Sequence, residues 1–197
     1  VPCGQCTGCR LERSRQWAVR MMHEAQMHER NCFVTVTYSD QSIPQDYGLC
    51  LEHLQRFVDR YRKHCLRKEG GVKIRYYAAG EYGEQGGRPH FHLCIFGHDF
   101  SDKKPFKKNE RGEVVFTSET LDGLWTEEGV NMGFATVGAL TFESAAYVAR
   151  YCMKKINGKA ADDAYCRVSP IDGQVHNVRP EFAVMSRRPG IGQAWLD

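Results

Sequence analysis

Two histidines stand one residue apart in RPHFHLCIFG (88–97), with Phe91 between them and Leu93 following. On a strand, His90 and His92 share one face while Phe91 and Leu93 take the other. An imidazole pair held this way can bind a divalent metal, or can serve as hydrogen-bonded structural side chains. The stretch VKIRYYAAGEY (72–82) reads as a second strand, joined to the first through GEQGGR, whose glycines suit a hairpin. Folding the two strands about that turn brings Glu81 near the level of His90. One carboxylate and two imidazoles then converge on one side of a sheet, around an open coordination position. That donor set suits Mg2+, Mn2+ or a similar ion held to polarise a phosphate. It also suits a Zn2+ that activates water, so the triad names a site and not a reaction.

A reaction is offered by YVARYCMKK (147–155). Tyr147 and Tyr151 are one helical turn apart on the same face, and Lys154 returns to nearly the same line. An amphipathic helix with two aromatic core contacts and a solvated lysine explains these letters. Two phenols beside a cation are also what a two-step phosphoryl transfer needs, since tyrosine can act as a covalent nucleophile opposite a metal.

The elements that would position these groups alternate along the chain. RLERSRQWAVRMMHEAQMHERN (10–31) reads as a helix, and CFVTVTYSD (32–40) as a strand closing in a polar turn. A second helix follows in LEHLQRFVDRYRKHCLRKEGG (51–71), with apolar residues at helical spacing and a glycine stop. After the hairpin come a lysine-rich loop (101–113), a short helix at SETLDGLW and a strand at FATVGALT. The last helix, FESAAYVARYCMKKIN, ends at Asn157 and Gly158. The pattern is α+β: a central antiparallel sheet flanked by helices, which are expected on one of its faces.

The chain has 197 residues, 42% of them hydrophobic and 26% charged, enough for one cored domain. No apolar run has the length of a membrane span, and no leader-like segment precedes a cleavage site, which points to a cytoplasm. Nine cysteines are an odd count scattered through apolar segments, so reduced thiols fit better than a disulfide scaffold. Cys3, Cys6 and Cys9 are the exception. Their two overlapping C-x-x-C units can converge on Zn2+ or an iron–sulfur cluster, with Cys32, Cys50, Cys65, His23 and Cys166 as candidates for a fourth ligand. An N-terminal arm with thiols that bind nothing is the other reading. The formal charge of +3 says little about nucleic acid by itself.

The His90-Phe91-His92 pattern resembles the histidine, hydrophobe, histidine motif of the HUH endonucleases, the rolling-circle initiators and relaxases. FVTVTY (33–38) looks like their first motif, and Tyr147 with Tyr151 like the two-tyrosine motif of the phage-type initiators. VPCGQCTGCR at the start and MSRRPGIG (185–192) further resemble the replication initiators of gokushovirus-type microviruses, which are single-stranded DNA phages. This likeness implies an antiparallel sheet with helices, related to the RNA-recognition and ferredoxin-like arrangement. It implies Glu81, His90 and His92 as metal ligands and Tyr147 and Tyr151 as nucleophiles that nick an origin through a 5′-phosphotyrosine. Lys154 would stabilise the phosphate or phenolate, with Lys155 as a less well aligned substitute. The implied partners are single-stranded or hairpin origin DNA and the host polymerase and helicase, in the cytoplasm of a bacterial host. Arg150, Lys155, Arg187, Arg188 and the lysine segment 103–108 would meet phosphates, with Tyr76, Tyr77 or Tyr82 as stacking surfaces. The implied organisation is a Cys-rich arm and helix over 1–31 and an endonuclease core over 32–197, together a fragment of a longer initiator. A metal-dependent DNA hydrolase without covalent intermediate and a non-enzymatic DNA-binding module stay open beside it.

Overall fold

The computed structural model describes residue 3 and residues 6–84, 86–154 and 159–195, with backbone alone for 151–154, 159 and 160. The chain runs α1 (Thr7–Gln26), β1 (Asn31–Tyr38), α2 (Leu51–Lys68), β2 (Arg75–Tyr82), β3 (Pro89–Phe96), β4 (Lys104–Lys108), β5 (Val114–Thr117) and α3 (Glu119–Leu124). It continues through β6 (Thr126–Glu127), β7 (Val130–Asn131), β8 (Gly133–Gly138), α4 (Phe142–Lys154), α5 (Lys159–Tyr165), β9 (Cys166–Val168), β10 (Val175–Asn177) and β11 (Phe182–Met185). One seven-stranded sheet of order β11-β2-β3-β1-β8-β5-β4 dominates, with every pairing antiparallel. It is flanked by helices, as expected.

The helices cover both faces of the sheet, which corrects the expectation of one. β1 alternates, turning Cys32, Val34, Val36 and Tyr38 into one core with Phe57, Val58 and Tyr61 of α2. β2 and β3, however, are buried on both sides. Tyr77, Ala79, Cys94 and Phe96 form a second core with Ala18 and Met21 of α1 and Ala145, Val148 and Ala149 of α4. Strands apolar on both faces need cover on both, and the small residues of α1 and α4 let those helices lie close together.

The segment 101–113, expected as a lysine-rich loop, carries β4 and the turn into β5. Lysines, Pro105 and a bulge between Pro105 and Lys107 are what an outer edge strand uses to discourage further pairing, so the letters mimic a loop. Ser118 caps α3 by accepting the Leu121 N–H at 3.1 Å. Gly133 enters β8 at φ 147°, where a Cβ would collide with the backbone of Thr37 and Tyr38. Only glycine lets β8 pair this closely with the end of β1. Cys32, Cys65 and Cys94 are buried thiols outside any disulfide. No described helix is long and apolar enough to cross a membrane.

Candidate active site

The β2–β3 register sets Glu81 opposite His90, and His92 follows two residues along the same face. The turn between the strands is fixed from its base. Arg88 donates to the Tyr38 carbonyl at 2.8 Å and to Asp40 at 2.7 Å, anchoring the hairpin to the end of β1. Its own carbonyl accepts the Gly83 N–H at 3.0 Å and lies 3.0 Å from His90 Nδ1. A carbonyl can only accept, so His90 Nδ1 donates to it and Nε2 faces the site. His92 Nδ1 is engaged by the hydroxyl of Thr35 on β1, at 2.9 Å, a group that can donate or accept.

Both Nε2 atoms point at one oxygen, Glu81 Oε1, at 2.5 Å from His90 and 2.8 Å from His92. Glu81 Oε2 is buried without a hydrogen-bond partner among the described residues. Burial works against the carboxylate charge, but the hydrogen bonds from His90 and His92 outweigh it and hold the Glu81 carboxyl below its ordinary range. Two imidazoles with their outer nitrogens occupied and their inner nitrogens converging on a carboxylate form the donor arrangement of a cation site. The outer partners orient the ligands, as second-layer groups do around metals. The three residues fit a divalent ion with two nitrogen donors and one oxygen donor.

Tyr147 comes from α4, which lies across β2 and β3. Its hydroxyl donates to Glu81 Oε1 at 3.3 Å, and its ring meets His92 edge-on with centroids 5.1 Å apart. Phe33 stacks on the His92 ring, with centroids 5.6 Å apart. Tyr151 and Lys154 continue along the α4 backbone, while their side chains, and the whole of Lys155, lie outside the described residues. Beside Tyr147 opens a groove of about 480 Å3, with Thr35 and Thr136 in its floor and Lys107, Lys108 and Arg111 of the β4–β5 hairpin on its wall.

The other expected groups are more dispersed. Arg150 is exposed and bonds within its own helix, to the Ala146 carbonyl at 3.4 Å. Arg187 and Arg188 are exposed, and the charge of Arg187 is felt at Tyr76, whose ring packs on the opposite sheet face. The turn after them is structural: its carbonyls accept from Arg75 at 2.7 Å (Pro189) and Arg20 at 2.9 Å (Ile191). Lys103 pairs with Asp99 and Lys104 with Glu119. Tyr77 and Tyr82 are buried and Tyr76 lies beneath Arg62, so none offers an open ring face for stacking.

Cys3, Cys6 and Cys9 gather at the start of α1, with Cys3 Sγ 3.8 Å from Cys9 Sγ and the Cys6 N–H donating to Cys3 Sγ at 3.3 Å. Cys32, Cys50, Cys65, His23 and Cys166 do not join this cluster. His23 instead stacks on Trp195, 3.7 Å between centroids. Sequence reasoning missed Arg88 and Thr35 as supports; the pattern Gly-Gly-Arg-Pro before the histidines was the available sign of the first.

The family model for replication-associated protein ORF2/G2P matches residues 31–156, from β1 through α4. The chain belongs to this family. Within it, the chain is 37% identical over 164 residues to the replication-associated protein ORF2 of Spiroplasma virus 4, covering 81% of this chain and 49% of that protein. It is 34% identical to the replication-associated protein VP4 of Bdellovibrio phage phiMH2K, over 100% of this chain and 57% of that one. With ORF4 of Chlamydia phage 1 the identity is 31%, over 79% of this chain and 38% of the relative. The chain thus spans about half the length of the first two curated relatives. No solved structure matches it. The ORF2/G2P match contains Glu81, His90, His92, Tyr147 and Tyr151, and it leaves the cysteine cluster, Arg187 and Arg188 outside.

Proposed function

We propose that this chain is the nicking and joining part of a phage replication initiator of the HUH type, acting on single-stranded or hairpin origin DNA with tyrosine as nucleophile. The observation that carries this reading is the Tyr147 hydroxyl, 3.3 Å from the carboxylate oxygen on which both histidines converge. A potential nucleophile and a cation-binding donor set share one small space.

Tyr147 Oη bonds to the scissile phosphorus as the bond from phosphorus to the 3′ oxygen breaks. The phenol gives up its proton and the departing oxygen gains one, leaving a 5′-phosphotyrosine and a 3′-OH. One phosphoester replaces another, so rejoining needs no ATP. The 3′-OH primes the host polymerase while a host helicase opens the duplex. Tyr151, one turn along α4, then attacks the regenerated origin, and the 3′-OH it releases attacks the Tyr147-linked phosphate to close the displaced strand. Lys154, with Lys155 as substitute, offsets charge on the phosphate or phenolate. Arg150, Lys155, Arg187 and Arg188 hold the DNA backbone. Glu81, His90 and His92 would hold Mg2+ or Mn2+, which when bound supplies polarisation of the scissile phosphate. Cys3, Cys6 and Cys9 would hold a structural Zn2+. The reaction belongs in the cytoplasm of the bacterial host.

The test uses a single-stranded origin oligonucleotide labelled at its 3′ end, incubated with the protein and Mn2+ and run on a denaturing gel. A slow protein-linked band is expected, and it should vanish in Tyr147→Phe/Tyr151→Phe while thermal unfolding is unchanged. Cleaved DNA without the band means that water is the nucleophile; uncut DNA means a binding module. A band that persists in the double variant sinks the tyrosine assignment.

A further inference from the structure

The side of the sheet that carries Glu81 and the histidines is only partly roofed. Helices α1 and α4 lie over β11, β2 and β3, and beyond them β8 turns Phe134 outward on that same side. The register is explicit: Glu81 pairs with His90, His90 with Thr37 and Thr37 with Phe134, a straight row across four strands. Phe134 is 48% exposed. Phe106, from edge strand β4, is 52% exposed and meets it with ring centroids 5.2 Å apart at 59°. Lys107 sits with its ammonium 5.8 Å from the Phe106 ring. Single exposed phenylalanines are ordinary, but two that touch each other at the surface, one of them on the edge strand β4, mark a contact surface.

We infer that Phe106 and Phe134 form a stacking platform for a base of single-stranded DNA, one or more nucleotides from the phosphate held at Glu81, His90 and His92. This rests on the nuclease reading and names a binding subsite for it. Two strand spacings separate His90 from Phe134, about 10 Å, so the platform lies beside the reaction and not on it. The occupant is chosen by charge and continuity. Lys107, Lys108 and Arg111 line the groove that runs from the β4–β5 hairpin to Tyr147, against two carboxylates, Glu110 and Glu113, the second of which accepts from Asn109 Nδ2 at 2.8 Å, so a net positive wall for the backbone lies beside aromatic faces for the bases. That combination holds single strands with little regard to sequence. A second copy of this chain would bring the same cations against its own.

The test measures binding of a fluorescent oligothymidylate by anisotropy without divalent ion, and of an abasic strand of equal length. Phe106→Ala/Phe134→Ala should weaken oligothymidylate binding by about 5- to 150-fold. Phe106→Tyr/Phe134→Tyr should retain it, and on the abasic strand the alanine variant should match wild type. Equal loss on both strands, or no loss, overturns the platform. Unchanged DNA affinity together with a change in sedimentation would assign the patch to contact between copies instead. The protein-linked band is read separately, on wild type with saturating origin DNA. Its absence there would count against the nuclease reading while leaving the anisotropy result intact.

Discussion

Thr35 and His92 are partners twice over: they face each other in the β1–β3 register, and Thr35 Oγ1 lies 2.9 Å from His92 Nδ1. The hydroxyl fixes which imidazole nitrogen looks into the site. Thr35→Val keeps the shape and removes that partner, and it should weaken Mn2+ binding by about 10- to 100-fold, measured by calorimetry. Thr37→Val, two residues along the same face, should leave Mn2+ affinity within experimental error of wild type.

Glu24 is a buried carboxylate that joins three parts of the chain. It accepts from Arg75 of β2 at 2.5 Å and from the Gly192 N–H at 2.7 Å, and it lies 3.1 Å from His28 Nε2. Burial raises its pKa, but these hydrogen bonds outweigh it and leave the carboxyl below its ordinary 4.5. A carboxyl that titrates lower when folded adds stability fully above the unfolded value and loses it as pH falls through the folded one. Glu24→Gln should therefore lower stability by about 3 kcal/mol at pH 7 in urea unfolding. The gap between variant and wild type should close as the pH is taken below 4.5.

Trp125 is the largest fully buried side chain and rings itself with Tyr38, Phe57 and Phe91 at 5.4, 5.6 and 6.1 Å. Its indole donates to the Thr37 carbonyl at 3.2 Å, supporting β1 from the face opposite the site. Trp125→Ala should cost about 3–5 kcal/mol and lower Tm by on the order of 10 °C. Trp125→Phe loses the hydrogen bond and part of the ring contact, and it should fall between the alanine variant and wild type in the same scan.

The cysteine cluster yields a separate prediction. Elemental analysis of protein prepared without added metal should find about one zinc per chain. Cys3→Ser/Cys6→Ser/Cys9→Ser should contain none, with Mn2+ binding at Glu81, His90 and His92 unchanged. Zinc retained by the triple variant would place the metal elsewhere.

Much of the site was legible because it is local. Glu81, His90 and His92 lie on one hairpin, and strand alternation with a glycine turn is enough to bring them together. Tyr147 was readable as to type and helical phase, but its approach to Glu81 depends on α4 docking against α1 and the sheet, which no local pattern records. The same holds for Phe106 and Phe134. Their contact requires the lysine-rich segment to become an edge strand, and its composition argued for a loop. Roofing on both faces was missed because β1 and α2, the most regular segments, describe only one of the two cores. Tyr77 and Tyr82 read as open aromatic surfaces until the second core and the Tyr82 hydrogen bonds to Leu49 and Arg179, at 3.1 and 2.7 Å, account for their burial.

Strand β3 is hydrogen-bonded along both edges, to β2 and to β1, and roofed on both sides. Its amides should exchange slowest, opening only with the molecule as a whole, which hydrogen exchange read by mass spectrometry would check. Tyr147 sits instead on a helix seated on the second core through Ala145, Val148 and Ala149. The two imidazoles and the phenol thus stand on elements of unequal anchorage, a strand hydrogen-bonded along both edges and a helix held through side-chain contacts.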